Sequence, residues 1–126
     1  MVRLDIKPMS VNKCWLGVKR PTDEFKAYRE LVSNSLPEEY EVPDDGELAV
    51  VFIWGLSNRA NDVDNSCKPF LDCLQTKYGF DDKRVYEIYM QKVIVPKGKE
   101  YIEFGIYPRE DVEYQVWDVD TGDQII

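Results

Sequence analysis

The stretch Leu48-Ala49-Val50-Val51-Phe52-Ile53-Trp54 is apolar at every position. Such a run reads as a strand, and a strand without polar alternation is expected to be buried on both faces. The rest of the chain is read outward from it. Upstream, Val2, Leu4 and Ile6 alternate with Arg3, Asp5 and Lys7, a short strand ended by Pro8. Residues 9–21 (MSVNKCWLGVKRP) read as a polar, basic loop. Thr22 offers an N-cap, with Asp23 and Glu24 in the first turn, where the helix dipole favours acids. Phe25, Tyr28, Leu31 and Val32 then recur at helical spacing, so a helix is expected to about Ser35. Pro37, Pro43, Asp44, Asp45 and Gly46 make the loop that leads into the apolar run.

Downstream, Gly55 begins a second loop, GLSNRANDVDN. Cys67, Phe70, Leu71, Leu74 and Tyr78 mark the apolar face of a second helix. Pro69 suits only its first turn, so the helix is expected to start near Asn65 or Ser66 and to stop at Gly79. Residues 84–95 read as a long strand, 96–99 as a hairpin turn and 101–107 as the last strand, with Ile102, Phe104 and Ile106 on one face. The order β-α-β-α-β-β implies an α+β fold: a mixed four-stranded sheet flanked by helices, parallel pairing across the helical crossovers, and an antiparallel final hairpin.

The chain has 126 residues, of which 44% are hydrophobic. That is one domain with a core, and it excludes disorder of the whole chain. There is no histidine, which excludes a Ser-His-Asp triad, a Cys-His dyad and a His-ligated zinc. Cys14, Cys67 and Cys73 form no CxxC and read as incidental thiols in a reducing compartment. MVRLDIKPMS lacks the apolar core of a signal peptide, and no window approaches the ~20 apolar residues of a membrane span. A soluble, cytoplasmic protein is expected. The net charge of −8 is uneven: residues 109–126 carry −5 and residues 1–108 only −3. The chain therefore divides into a domain over 1–108 and an acidic extension over 109–126. Val112, Tyr114, Val116 and Trp117 favour docking of 112–119 over disorder.

The segment richest in chemistry is Asn61-Asp62-Val63-Asp64-Asn65-Ser66-Cys67-Lys68. If it is extended, Asp62 and Asp64 project to one side, and their repulsion calls for a cation. A hard ion such as Mg²⁺ takes one or two carboxylates, with water and substrate phosphate completing its shell. Lys68, one helical turn past Asp64, is within reach of a phosphate or a leaving oxygen. Plainer roles compete with this reading. Asp64 or Asn65 fits an N-cap, Lys68 and Asp72 fit a surface ion pair, and Asp81-Asp82 fits an ordinary turn.

The combination D-V-D-N-S-C-K-P-F-L-D-C-L (62–74), G-F-D-D (79–82) and a strand containing V-Y-E-I resembles the RusA family of Holliday junction resolvases. I-K-P-M-S-V-N-K (6–13) is similar to that family's opening segment, and the likeness spans about residues 4–107. The resemblance implies a small Mg²⁺-dependent endodeoxyribonuclease of phage or bacterial origin, serving DNA recombination and repair. It would act as a homodimer that nicks four-way DNA junctions in pairs, without a small-molecule cofactor. Carried over by motif position, Asp62, Asp64 and Asp82 become the metal carboxylates and Lys68 a catalytic or phosphate-contacting lysine. Asp72 and Asp81 take supporting roles. The acidic extension matches no element of the family.

Basic residues cluster in the expected first loop and helix, and Lys13, Lys19, Arg20 and Arg59 are the candidate DNA contacts. Lys26 and Arg29 are equally a wet helix face. Trp15 reads as core packing ahead of stacking on an unpaired base. Two other classes remain: a related nuclease acting on flaps or other branched DNA, and a non-catalytic DNA-structure-binding or acidic interaction module.

Overall fold

The Thr22 hydroxyl accepts the Phe25 backbone N–H at 3.1 Å, and helix α1 runs over Asp23–Ser35 behind that cap. The structure is a computed structural model, and it describes residues 1–18 and 20–112. Phe25, Tyr28 and Val32 form the buried stripe of α1. Leu31, expected beside them, is 52% exposed. At roughly 100° per residue it lies about a right angle from the middle of that stripe.

Four strands make the main sheet: β1 (Val2–Leu4), β4 (Leu48–Leu56), β5 (Val85–Ile94) and β6 (Tyr101–Pro108). Their spatial order is β1-β6-β4-β5. The β1–β6 and β4–β6 pairs are antiparallel and β4–β5 is parallel, so the sheet is mixed and the fold is α+β as expected. A parallel pair needs a crossover, and helix α2 (Cys67–Tyr78) supplies it. Pro69 sits in its first turn. Gly79, at φ +73°, stops it and donates its N–H to the Gln75 carbonyl at 2.8 Å.

The expected final hairpin is corrected. β5 and β6 flank β4 on opposite sides and do not pair. Residues 95–100 instead arch across the end of β4, with the Val95 N–H donating to the Leu56 carbonyl at 2.9 Å. The turn residues set the local bend but not the strand's neighbour, and the apolar β4 takes the central place. The expected loop over 9–21 is also corrected. It holds a 3-10 turn (Val11–Lys13) and a two-stranded ribbon in which β2 (Trp15–Leu16) pairs with β3 (Arg20–Pro21).

The even-numbered side chains of β4 enter one core with both helices. Phe52 stacks on Trp54 at 4.9 Å between ring centres, and Phe70 of α2 meets Phe52 at 5.7 Å, Trp54 at 6.0 Å and Phe104 at 5.5 Å. Val51 and Ile53, on the other face, are only half-buried and lie outside that core. Helices therefore cover β4 on one face, not two. The second face is shielded by neighbouring rings. Tyr101, cross-strand from Gly55, lies so close that a Cβ at Gly55 would stand 2.2 Å from its ring, and the Arg3 guanidinium covers that ring at 3.9 Å.

The three thiols are free, with Cys14 and Cys73 buried. Burial, helped by the Asp72 charge, pushes the Cys73 thiol up to about 12, so it stays protonated and inert at neutral pH. No helix among the described residues is long and apolar enough to cross a membrane. The expected docking of 112–119 falls, beyond Val112, outside the described residues.

Phe70 joins the sheet to α2, so Phe70→Ala leaves a cavity against three rings. Urea unfolding should show a loss of about 3–5 kcal/mol. A loss below about 1 kcal/mol would show that α2 is not held through this ring.

Candidate metal and nucleic-acid site

The chain leaves β4 at Leu56 and enters the loop 57–66, which three separate segments hold. From the arch, Glu100 accepts the Ser57 hydroxyl at 2.9 Å. From β5, the Lys92 ammonium donates to the carbonyls of Arg59 at 3.1 Å and Asn61 at 2.7 Å. From the N-terminal segment, the Val11 N–H donates to the Asn65 carbonyl at 2.8 Å. Within the loop, Asn58 Oδ1 accepts the Ala60 N–H at 2.9 Å.

The Asp62–Asn65 segment is a turn, not the extended stretch expected. The Asn65 N–H donates to the Asp62 carbonyl at 3.3 Å, and the Cys67 N–H to the Asp64 carbonyl at 3.1 Å. These turns lead directly into α2, which is why the alternation of a strand does not apply. The N-cap of α2 is Ser66, and it makes no side-chain cap bond. The capping roles expected for Asp64 or Asn65 are therefore not filled. The Asp62 and Asp64 side chains are exposed, and neither carboxylate has a hydrogen bond or ion pair among the described residues. The Asp64 charge adds to burial in raising the Cys67 thiol.

Lys68 stands in the first turn of α2. Its ammonium lies 3.2 Å from Asp72 and 3.9 Å from Asp82. Asp82 opens the 3-10 turn Asp82–Arg84, and Asp81 caps that turn by accepting the Lys83 N–H at 2.9 Å. The acidic pair is thus divided: Asp81 does turn chemistry and Asp82 faces Lys68. The Lys68 side chain is 61% exposed, so these pairs are worth a few tenths of a kcal/mol and are readily exchanged for another anion.

Among the described residues no group of three or more His, Cys, Asp or Glu is gathered to hold a metal. Asp62 and Asp64 stand in the loop, while Asp82 is engaged by Lys68. The donor set still fits Mg²⁺, which binds through one or two carboxylates and keeps several waters. Two neighbouring carboxylates without a protein cation, on a backbone held from three sides, meet that requirement.

Of the expected DNA contacts, Lys13, Arg20 and Arg59 are exposed, and their side chains have no anionic partner among the described residues. Lys13 belongs to the 3-10 turn that Val11 ties to Asn65. Arg20 follows in the ribbon, which returns to that turn through the Thr22 hydroxyl donating to the Lys13 carbonyl at 2.7 Å. Lys19 lies outside the described residues. Trp15 is 44% exposed and touches Phe25 edge-on at 5.5 Å, so the expected core packing is corrected. The Arg29 guanidinium lies over the Phe25 ring, 4.6 Å from its centre.

Sequence reasoning passed over Lys92. Its signal was a charge interrupting the apolar face that Ile88, Met90 and Ile94 share on β5. No family model matches the chain, and no curated protein matches it.

Lys92→Met removes both donors while keeping most of the stem. Amide hydrogen exchange over 59–65 should accelerate about tenfold, equivalent to roughly 1.4 kcal/mol, with the urea midpoint little changed. Unchanged exchange would show that the loop does not depend on Lys92.

Proposed function

We propose that the protein is a Mg²⁺-dependent structure-specific endodeoxyribonuclease that acts as a homodimer and resolves four-way DNA junctions by paired nicks, as the RusA family does. The observation that carries this reading is the pair of unpartnered carboxylates, Asp62 and Asp64, on a loop held by β5, the arch and the N-terminal segment, one helical turn from Lys68.

In this mechanism Asp62 and Asp64 hold the metal. Bound Mg²⁺ supplies charge neutralisation at the phosphate and a water acidic enough to serve as nucleophile. Lys68 exchanges Asp72 and Asp82 for the substrate, and its ammonium stabilises negative charge on the phosphate or the departing 3′ oxygen. Asp82 holds the Lys68 ammonium before substrate arrives, and in this reading it would be the third carboxylate available to a bound metal. Lys13, Arg20 and Arg59 neutralise backbone phosphates beside the loop. No histidine is needed in this reading, because a bound metal would itself supply the acidic water. Two nicks across a two-fold symmetric junction need two such sites related by the same symmetry, hence the dimer. The reading places the protein in the cytoplasm of a bacterial or phage-infected cell.

A synthetic four-way junction incubated with the protein should be nicked symmetrically with Mg²⁺ and left intact with EDTA. Asp64→Asn should lower the rate at least about a hundredfold while junction binding stays within about threefold. Binding without any Mg²⁺-dependent nicking would mark a DNA-structure-binding module instead. Preferred nicking of flaps over junctions would mark the related nuclease class.

A further inference from the structure

The all-apolar strand β4 has one side without a helix. Strand register puts Val51 and Ile53 on that side, with Tyr89 and Val93 of β5 on one flank and Tyr101 and Tyr107 of β6 on the other. Tyr101 lies over Gly55, and Tyr107 lies over Gly105, where a Cβ would stand 2.3 Å from its hydroxyl. Between these rings Val51 and Ile53 stay half-buried.

The carboxylates on this face are already matched. Glu103 accepts from the Arg3 guanidinium at 3.4 Å. Glu87 lies 3.1 Å from the Arg109 guanidinium and accepts the Tyr89 hydroxyl at 2.9 Å. A sheet face that meets water normally carries polar residues at alternate positions of each strand. The central strand here carries none, and the acids beside it are neutralised, so the face suits a cover of apolar side chains.

The chain itself arrives at the foot of this face. The Arg109 N–H donates to the Glu47 carbonyl at 2.9 Å, beside the start of β4, while its guanidinium reaches Glu87 on β5. Val112 and Glu87 line one hollow there. Asp45, Glu47 and Glu110 line it too, so burial is offered by the apolar face above and not by the acidic hollow. Residues 113–126 follow, outside the described residues. Val112, Tyr114 and Val116 alternate with Glu113 and Gln115, the pattern of an extended segment with one apolar side, and Trp117 and Val119 add to its apolar surface. At about 3.3 Å per residue, 112–119 extends over about 26 Å, enough to pass both Val51 and Ile53. A tethered segment also meets the face at an effective concentration near millimolar, which a second copy of the chain matches only in concentrated solution.

We propose that residues 113–126 dock across the helix-free face of the sheet and cover Val51 and Ile53. The four acids of the segment, Glu113, Asp118, Asp120 and Asp123, are then carried on the face opposite α1 and α2. The inference is independent of the nuclease reading.

The test uses the full chain with isotope-labelled methyl groups, and a mixture of labelled and unlabelled chains separates contacts within a chain from contacts between chains. The Val51 and Ile53 methyls should show NOEs to the ring protons of Tyr114 or Trp117 within one chain. Trp117→Ala should displace both methyl resonances and leave those of Leu74 and Ile106, on the helix side, in place. Val51→Asp should speed chymotryptic cleavage at Tyr114 and Trp117 about tenfold, because the docked segment opens more often. If Val51→Asp does not fold, the NOEs of the unmodified chain decide. Absence of these NOEs, NOEs only between chains, NOEs from the segment to α1 or the β2–β3 ribbon instead, or unchanged cleavage in a folded Val51→Asp would each overturn the proposal.

Discussion

The parallel pairing of β4 with β5 is the constraint on which the rest of the molecule depends. Two parallel neighbours cannot be joined by a tight turn, so the chain must cross over the sheet and return. That crossover is α2, and both ends of it are chemical: Asp62, Asp64 and Lys68 at its start, Asp81 and Asp82 after its end. The length of Lys68 then matters. Lying along the helix, it reaches Asp72 one turn on and still approaches Asp82. Without the helical crossover, these residues would be scattered along 21 positions of chain.

The core explains why the crossover stays put. Phe70 inserts among Phe52, Trp54 and Phe104, so α2 is fixed by aromatic contacts that have little freedom to slide. The loop before α2 has no such core. It is held by polar contacts from three elements that are remote in sequence, and those contacts grip backbone carbonyls and the Ser57 hydroxyl, not the aspartates. The carboxylates are left exposed and, among the described residues, unpaired.

Local features were legible in the sequence and distant pairings were not. The Thr22 cap, the Gly79 stop and Pro69 in the first turn of α2 are short-range signals, and each stands where it was read. The final hairpin failed because a turn such as Pro96-Lys97-Gly98-Lys99 specifies a bend, while the neighbour of a strand is decided by the whole sheet. The double-sided burial of β4 is met in part, with Ala49 and Gly55 buried on the second face and Val51 and Ile53 half-buried, for a related reason. An all-apolar strand is also satisfied when tyrosine rings of the next strand lie over its open face, and Gly55 is the trace of that packing. In the site, the pairing of Lys68 with Asp72 follows helical spacing. Its approach to Asp82 and the clasp by Lys92 needed the fold, because each joins residues whose separation in sequence carries no periodic signal.

The acidity of the chain is compatible with a DNA partner because charge acts locally. Arg3, Lys77 and Arg109 are each tied to a glutamate, Glu103, Glu38 and Glu47 respectively, and so contribute little field of their own. Among the described residues Lys13, Arg20 and Arg59 are not neutralised in this way, and Lys13 and Arg59 stand on the segments that meet at the Asp62–Asp64 loop. Two of these cations therefore stand on the same held loop and its clasping segment as the two unpaired carboxylates. The local potential changes sign over a short distance, and screening confines each part to about 8–10 Å at physiological salt. The net value of −8, most of it from the last 18 residues, averages over that pattern and does not describe the surface that a strand would touch.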